Sequence, residues 1–212
     1  MKLVLASNNA KKLAELQSLL ADLPLTLLSQ SQFGVAEADE PHITFVENAL
    51  AKARHAALHT GLPALADDSG LCVDALAGAP GVQSAVFAGV VPVQADREAQ
   101  RRAQDAANNQ KLLAALQGQT MRRASFVSVL VAVRHAQDPE PLIAQGRWAA
   151  RILEATLGEG GFGYDPLVWI DELQDSVAQL SSTLKNQHSH RALAAAHMRP
   201  LMASAWQTLL SA

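Results

Sequence analysis

The chain has 212 residues, of which 49% are hydrophobic and 17% charged, with a formal net charge of −3. That apolar content is enough for a full core, which excludes a disordered chain and suits one domain over residues 1–212. A pI near 6.1 leaves no basic footprint for a nucleic acid polymer, although a local lysine cluster can still hold a small anion.

Cys72 stands alone, so there is no internal disulfide framework and no thiolate metal site, as expected of a reducing compartment. The apolar residues 3–6 are cut by Ser7-Asn8-Asn9 well short of a secretory segment. Nothing later approaches the roughly 20 apolar residues that span a bilayer. The expected location is the cytoplasm, with no membrane partner.

Residues 3–6 read as a short buried strand, and leucines at 13, 16, 19, 20 and 23 then recur at helical spacing until Pro24. Residues 25–28 read as the next strand, a βαβ opening that favours a sheet with helices packed on it. Residues 37–41 are an acidic loop; Thr44-Phe45-Val46-Glu47 is a capping box for an alanine-rich helix to about Thr60, closed by Gly61. A strand over 63–66 follows, then Asp67-Asp68-Ser69-Gly70 as a turn, a resumption of extended chain at 71–73, and the breaker cluster Gly78-Ala79-Pro80-Gly81. Asp96 caps a polar helix reaching about Leu116. Strands over 124–134 and 141–151 form an antiparallel hairpin around the turn at 135–140. After a glycine-rich loop comes a short strand at 167–169 and a closing helix from about Ser189 to Leu210, kinked at Pro200.

Four segments carry chemistry. Ser7-Asn8-Asn9-Ala10-Lys11-Lys12 joins a strand to a helix N-terminus, where backbone N–H groups and lysine charge favour an anion; an asparagine-capped helix with solvated lysines is the plainer reading. In Asp67-Asp68 successive side chains face opposite ways, so one carboxylate, Asp68, faces a site and the other bonds locally. In Gly160-Gly161-Phe162-Gly163-Tyr164-Asp165 glycines allow close backbone approach, and Phe162 or Tyr164 can stack on a planar base. In the cation-rich run Lys185 to Arg191, histidine and arginine can donate to purine carbonyls and Ser189 can cap the last helix. His55 and His59, one helical turn apart, read as helix surface, and Trp148, Trp169 and Trp206 as core or interface.

With these strings in order along nearly the whole chain, together with Thr44 to Ala49 followed by Lys52-Ala53, the sequence resembles the nonstandard purine nucleoside triphosphate pyrophosphatases. The resemblance implies an elongated mixed α/β sheet flanked by helices. It implies two lobes with a central substrate cleft, the second lobe built largely from about 120–155, and a homodimer. It also implies hydrolysis of ITP, dITP and XTP to the monophosphate and pyrophosphate with Mg²⁺. Carried over by position, Ser7, Asn8, Asn9, Ala10, Lys11 and Lys12 contact the triphosphate, Asp68 is base and metal ligand, and Ser69 touches substrate. Phe162, Gly163, Tyr164 and Asp165 hold the base, and Lys185, His190 and Arg191 read its edge. A second acidic metal ligand falls at Asp39 or Glu40. Asn8 and Lys11 stand where the family usually has glycines, and Asn8 is expected to tolerate the left-handed backbone a glycine would take. The alternatives are a Maf-type nucleotide pyrophosphatase and a noncatalytic nucleotide sensor.

Overall fold

A computed structural model describes Met1 to Ser211, with Arg97 through its backbone only. The described strands form a seven-stranded sheet in the order β2-β1-β3-β4-β5-β6-β7. They are β1 (Lys2–Leu5), β2 (Thr26–Ser29), β3 (Ala64–Val73), β4 (Arg123–Val133), β5 (Leu142–Ile152), β6 (Val168–Ile170) and β7 (Asp175–Ser176). β1 pairs in parallel with β2 (Leu3 opposite Leu27) and with β3 (Val4 opposite Ala64), whereas β6 pairs antiparallel with β5 and β7. The sheet is therefore mixed, as expected.

The helices are α1 (Ala10–Leu19), α2 (Phe45–Thr60), α3 (Arg97–Ala115), α4 (Ser182–His188), α5 (His190–Ala205) and α6 (Gln207–Ser211). Their starts follow the local chemistry. The Thr44 hydroxyl accepts from Glu47 N–H and donates to the Glu47 carboxylate at 2.6 Å, and Gly61 closes α2 with φ +67°. Asp96 caps α3 by accepting from Ala99 N–H at 2.8 Å. None of these helices is long and apolar enough to cross a membrane.

Several expectations are corrected. Residues 67–70 are not a turn: β3 runs unbroken for ten residues through both aspartates, because ion pairs and hydrogen bonds from neighbouring elements satisfy the carboxylates that would otherwise force the chain out to solvent. The polar run before the last helix is itself partly helical, as α4. The closing helix runs on through Pro200 and divides at Trp206 into α5 and α6. Asn8 is not in the left-handed region; among the described non-glycine residues only Ala77 and Gln174 have positive φ.

The chain divides into two compact units. The first comprises Met1–Ser69, Ser128–Arg147 and the residues from Asn186 on; the second comprises Gly70–Val127 and Trp148–Lys185. The first has a core of leucines from β1, α1 and β3 packed with Met198 and Met202 of α5 and the buried Trp206. Gly146 of β5 lies so close under α5 that a methyl group there would overlap the His190 carbonyl and the Ala194 nitrogen. The second unit's core gathers Leu112 and Leu116 of α3, Phe126, Trp148, Ile152, Tyr164 and Leu167. Trp169, half-buried, lies beneath Arg151 instead.

Candidate active site

The first unit concentrates charge around β3. Strand alternation puts Asp67 on the face of β3 shared with Leu65, where α1 and α5 pack, and Asp68 on the opposite face toward α2. Asp67 is buried. One of its oxygens accepts from Ser128 Oγ of β4 at 2.7 Å; the other meets Lys12 Nζ of α1 at 3.0 Å and Arg191 Nε of α5 at 3.1 Å. Burial would push its carboxyl up, but Arg191 and Lys12 outweigh that and hold it far below the usual carboxylate range. Arg191 is buried too. Its other donors go to Glu15 Oε2 at 2.7 Å and Ser69 Oγ at 3.2 Å, and the carboxylates of Asp67 and Glu15 hold it protonated against its own desolvation.

Asp68 has different partners. Its Oδ1 receives Lys52 Nζ of α2 at 2.8 Å, and its Oδ2 is buried without a hydrogen-bond partner among the described residues. Burial raises its pKa, an effect that Lys52 opposes and does not overcome. Lys52 Nζ also lies 3.4 Å from Glu40 Oε1, so one ammonium stands between two carboxylates. The acidic loop that carries Glu40 is tied to α2: Asn48 both accepts from His42 N–H and donates to the His42 carbonyl, and His55 Nε2 lies 3.1 Å from the Ala36 carbonyl. Glu40 therefore joins the cluster; Asp39 is exposed and takes no part in the ion pairs on Lys52.

A hollow of about 170 Å³ opens here, its walls including Ser7, Asn9, Lys12, Glu40, Lys52 and Asp67. Asp68 is not on its wall but is bound to Lys52, which is. In the loop before α1, Asn9 Oδ1 accepts from the N–H groups of both Lys11 and Lys12, so the helix is asparagine-capped as read, but Lys12 is ion-paired with Asp67 rather than solvated. Those two donors are satisfied within the loop, Ser7 Oγ accepts from Asn9 N–H at 3.2 Å, and Lys12 Nζ reaches across to Asp67. Ala10 is the first helical residue, and Lys11 is exposed.

The second unit contributes the glycine loop. Phe162 is 44% exposed, and Lys185 Nζ sits 4.6 Å from its ring centroid. Asp165 Oδ2 accepts from Phe162 N–H at 2.9 Å and from Lys185 Nζ at 2.6 Å. Gly161 has φ +77°, and a methyl there would overlap the Asp165 carboxylate, so glycine is required twice over. Tyr164 is corrected: its ring is buried in the core and its hydroxyl donates to the Ser84 carbonyl at 2.9 Å, which removes it as a stacking surface. Arg191 is corrected likewise, being held in the carboxylate cluster rather than presented to a base edge. His190 is buried as the first residue of α5, after the Ser189 cap.

Two roomier hollows in the second unit, each about 590 Å³, run along Leu113 to Arg122 and along Thr120 to Glu172. Their arginines already have partners. Arg122 donates to three backbone carbonyls, and Arg151 pairs with Asp171.

Residue-by-residue reading assigned no role to Lys52, Glu15, Ser128 or Asp105. Lys52 had a visible signal: it falls on the otherwise apolar stripe of α2 with Asn48, Ala49, Ala53 and Ala56, all buried. A lysine there needs a buried acid opposite it.

An α/β sheet with an acid pair inside one strand, lysines on the flanking helices and a glycine loop with one exposed aromatic defines a phosphate-handling enzyme class rather than a structural module. The Ham1 family model matches residues 3–201. A dITP/XTP pyrophosphatase of Methylibium petroleiphilum is 66% identical over 97% of this chain and 99% of its own length, and one of Leptothrix cholodnii 63% identical over 97% and 99%. The solved structure of a HAM1 protein from Coxiella burnetii superposes with a TM-score of 0.87 at 42% identity, covering 96% of this chain and 98% of that one. The chain belongs to the Ham1 family.

Proposed function

We propose that the protein hydrolyses nonstandard purine nucleoside triphosphates, ITP, dITP and XTP, to the monophosphate and pyrophosphate. The observation that carries this is Asp68, a carboxylate with a raised pKa and one buried unpartnered oxygen, in a chain 66% identical to a protein named for that activity. Neither a Maf-type substrate range nor a noncatalytic sensor is favoured by those names.

Lys12 and the loop of Ser7 to Asn9 hold phosphate oxygens. Asp68 takes a proton from the water that attacks the α-phosphorus, and Lys52 steadies its Oδ1 while Oδ2 is left for the proton or a cation. Asp67, locked by Arg191, Lys12 and Ser128, supports the strand. The donor set fits Mg²⁺, which takes one or two carboxylates and keeps phosphate oxygens as further ligands. Asp68 and Glu40 would hold it, with Asp39 the weaker choice, and when bound it neutralises phosphate charge. In the glycine loop, Phe162 offers its ring to the purine, with Gly163, Asp165 and Lys185 setting the loop's shape. Arg191 is engaged in the carboxylate cluster, and the 6-oxo group is assigned to His190, whose ring N–H can donate. A site donor facing the adenine amino group would lose about 1–3 kcal/mol, which selects against ATP. The proposed setting is the cytoplasm, and the proposed assembly is a homodimer.

The test is pyrophosphate release from ITP, dITP, XTP, GTP and ATP in parallel, with Asp68→Asn as control. Fast release from the first three, slow release from ATP and none from the variant, whose circular dichroism stays native, is the expected pattern. Near-normal ITP hydrolysis by Asp68→Asn removes Asp68 from the mechanism.

A further inference from the structure

The segment Glu159 to Phe162 is exposed, so apolar burial, which holds Tyr164 in the core, does not hold this stretch of the loop in shape. Polar ties do. Phe162 N–H is fixed by Asp165, Asp165 is fixed by Lys185, and the Tyr164 hydroxyl is anchored on Ser84. Between them lies Gly163, at φ +62°, with both of its backbone polar groups bound by one helix. Asp105 Oδ2 of α3 accepts from Gly163 N–H at 2.9 Å, and Asn109 Nδ2 donates to the Gly163 carbonyl at 2.9 Å.

Asp105 and Asn109 are four residues apart, hence on the same face of α3. Both are half-buried. Asn109 Oδ1 is buried with no hydrogen-bond partner among the described residues, so this amide is held inward at a cost that only its donation to Gly163 offsets. The peptide planes on either side of Gly163 are thereby fixed, and with them the direction in which the neighbouring Phe162 ring leaves the backbone.

We propose that Asp105 and Asn109 are positioning residues that clamp Gly163 and so preset Phe162 for the purine; this rests on the reading of the loop as the base-holding element. Neither residue touches substrate. They remove, before binding, the ordering that a loose loop would otherwise undergo when the base arrives. The groups assigned to proton transfer are Asp68 and its partners, so the clamp governs substrate affinity and leaves the chemical step alone.

The experiment is steady-state ITP hydrolysis by Asp105→Ala, Asp105→Asn, Asn109→Ala and Phe162→Ala. Asp105→Ala is expected to raise KM about tenfold with kcat within about twofold, as loss of one hydrogen bond to the bound conformation implies. Asp105→Asn keeps an acceptor oxygen and is expected to return KM to within about threefold of the parent; Asn109→Ala should raise KM about fivefold. A fall in kcat at unchanged KM, or Asp105→Asn no better than Asp105→Ala, overturns the clamp. Should Asp105→Ala fail to fold, Asn109→Ala decides by the same KM-against-kcat split. If Phe162→Ala leaves KM unchanged, the base-holding reading of the loop fails. If Phe162→Ala raises KM while Asp105→Ala and Asn109→Ala do not, the clamp alone fails.

Discussion

Asp67 and Asp68 are adjacent in sequence, yet they share almost nothing in their surroundings. Asp67 is enclosed by one arginine, one lysine and two hydroxyls; Asp68 has a single lysine and a bare oxygen. The first is bound on both oxygens; one oxygen of the second has no hydrogen-bond partner among the described residues. Removing the arginine should therefore damage stability before it damages chemistry. Arg191→Met leaves Asp67 and Glu15 facing each other without the guanidinium, and is expected to destabilise the fold by about 3 kcal/mol, the low end for a broken buried pair because Lys12 remains. Urea denaturation reads it. Arg191→Lys should recover little, since one ammonium cannot reach Asp67, Glu15 and Ser69 together. At this scale, the opposite facing of the two carboxylates was legible from strand alternation alone. The identity of their partners was not: Ser128 and Arg191 meet Asp67, and Glu15 meets Arg191, only through tertiary packing, and no spacing in the chain links residues so far apart.

Among the elements, those with strong local chemistry were readable. The Thr44 box, the Asp96 cap and the hairpin strands lie within a residue or two of expectation, because each is specified by neighbours in sequence. Two of the errors share one cause. The 67–70 segment and the run before α5 are polar, and polar residues read as loop unless their partners are known. The turn between β4 and β5 shows local chemistry at its most complete. Asp138, fully buried, accepts from Arg134 N–H and its guanidinium and from Glu140 N–H. The Arg134 hydrogen bonds, over the opposing effect of burial, hold the Asp138 carboxyl well below its ordinary value of 3.8. A depressed native pKa means stability that is present above 3.8 and lost as pH falls through the native value. Asp138→Asn should thus be less stable than the parent near neutrality, and the two denaturation midpoints should converge as pH drops below 3.8.

For the whole molecule, the mixed α/β architecture was within reach of the sequence because the βαβ opening and the strand-rich centre each announce themselves. The order of strands across the sheet was not, since the pairing of β3 with β1 and β4 joins segments separated by whole helices. Assembly is the remaining expectation at this scale. Val90 and Val93 are 82% and 93% exposed, apolar surface that a second copy would cover. Sedimentation velocity is expected to give twice the 22.5 kDa of one chain; a single species at the monomer mass removes the homodimer.

The unbroken course of β3 through both aspartates also sets which changes in chain length this protein can absorb. Strand side chains alternate, so losing or gaining one residue between Ala64 and Ala66 would turn every following side chain to the other face. On loss, Asp68 would enter the arginine enclosure and Ser69 would meet Lys52; on gain, Ala66 would face the arginine and Asp67 would meet Lys52. Each side chain could survive unaltered while the division of labour between the two acids was inverted. Length variation among relatives should accordingly be absent from this strand and concentrated in exposed connections such as residues 117–121 between α3 and β4, where no residue depends on the parity of its position.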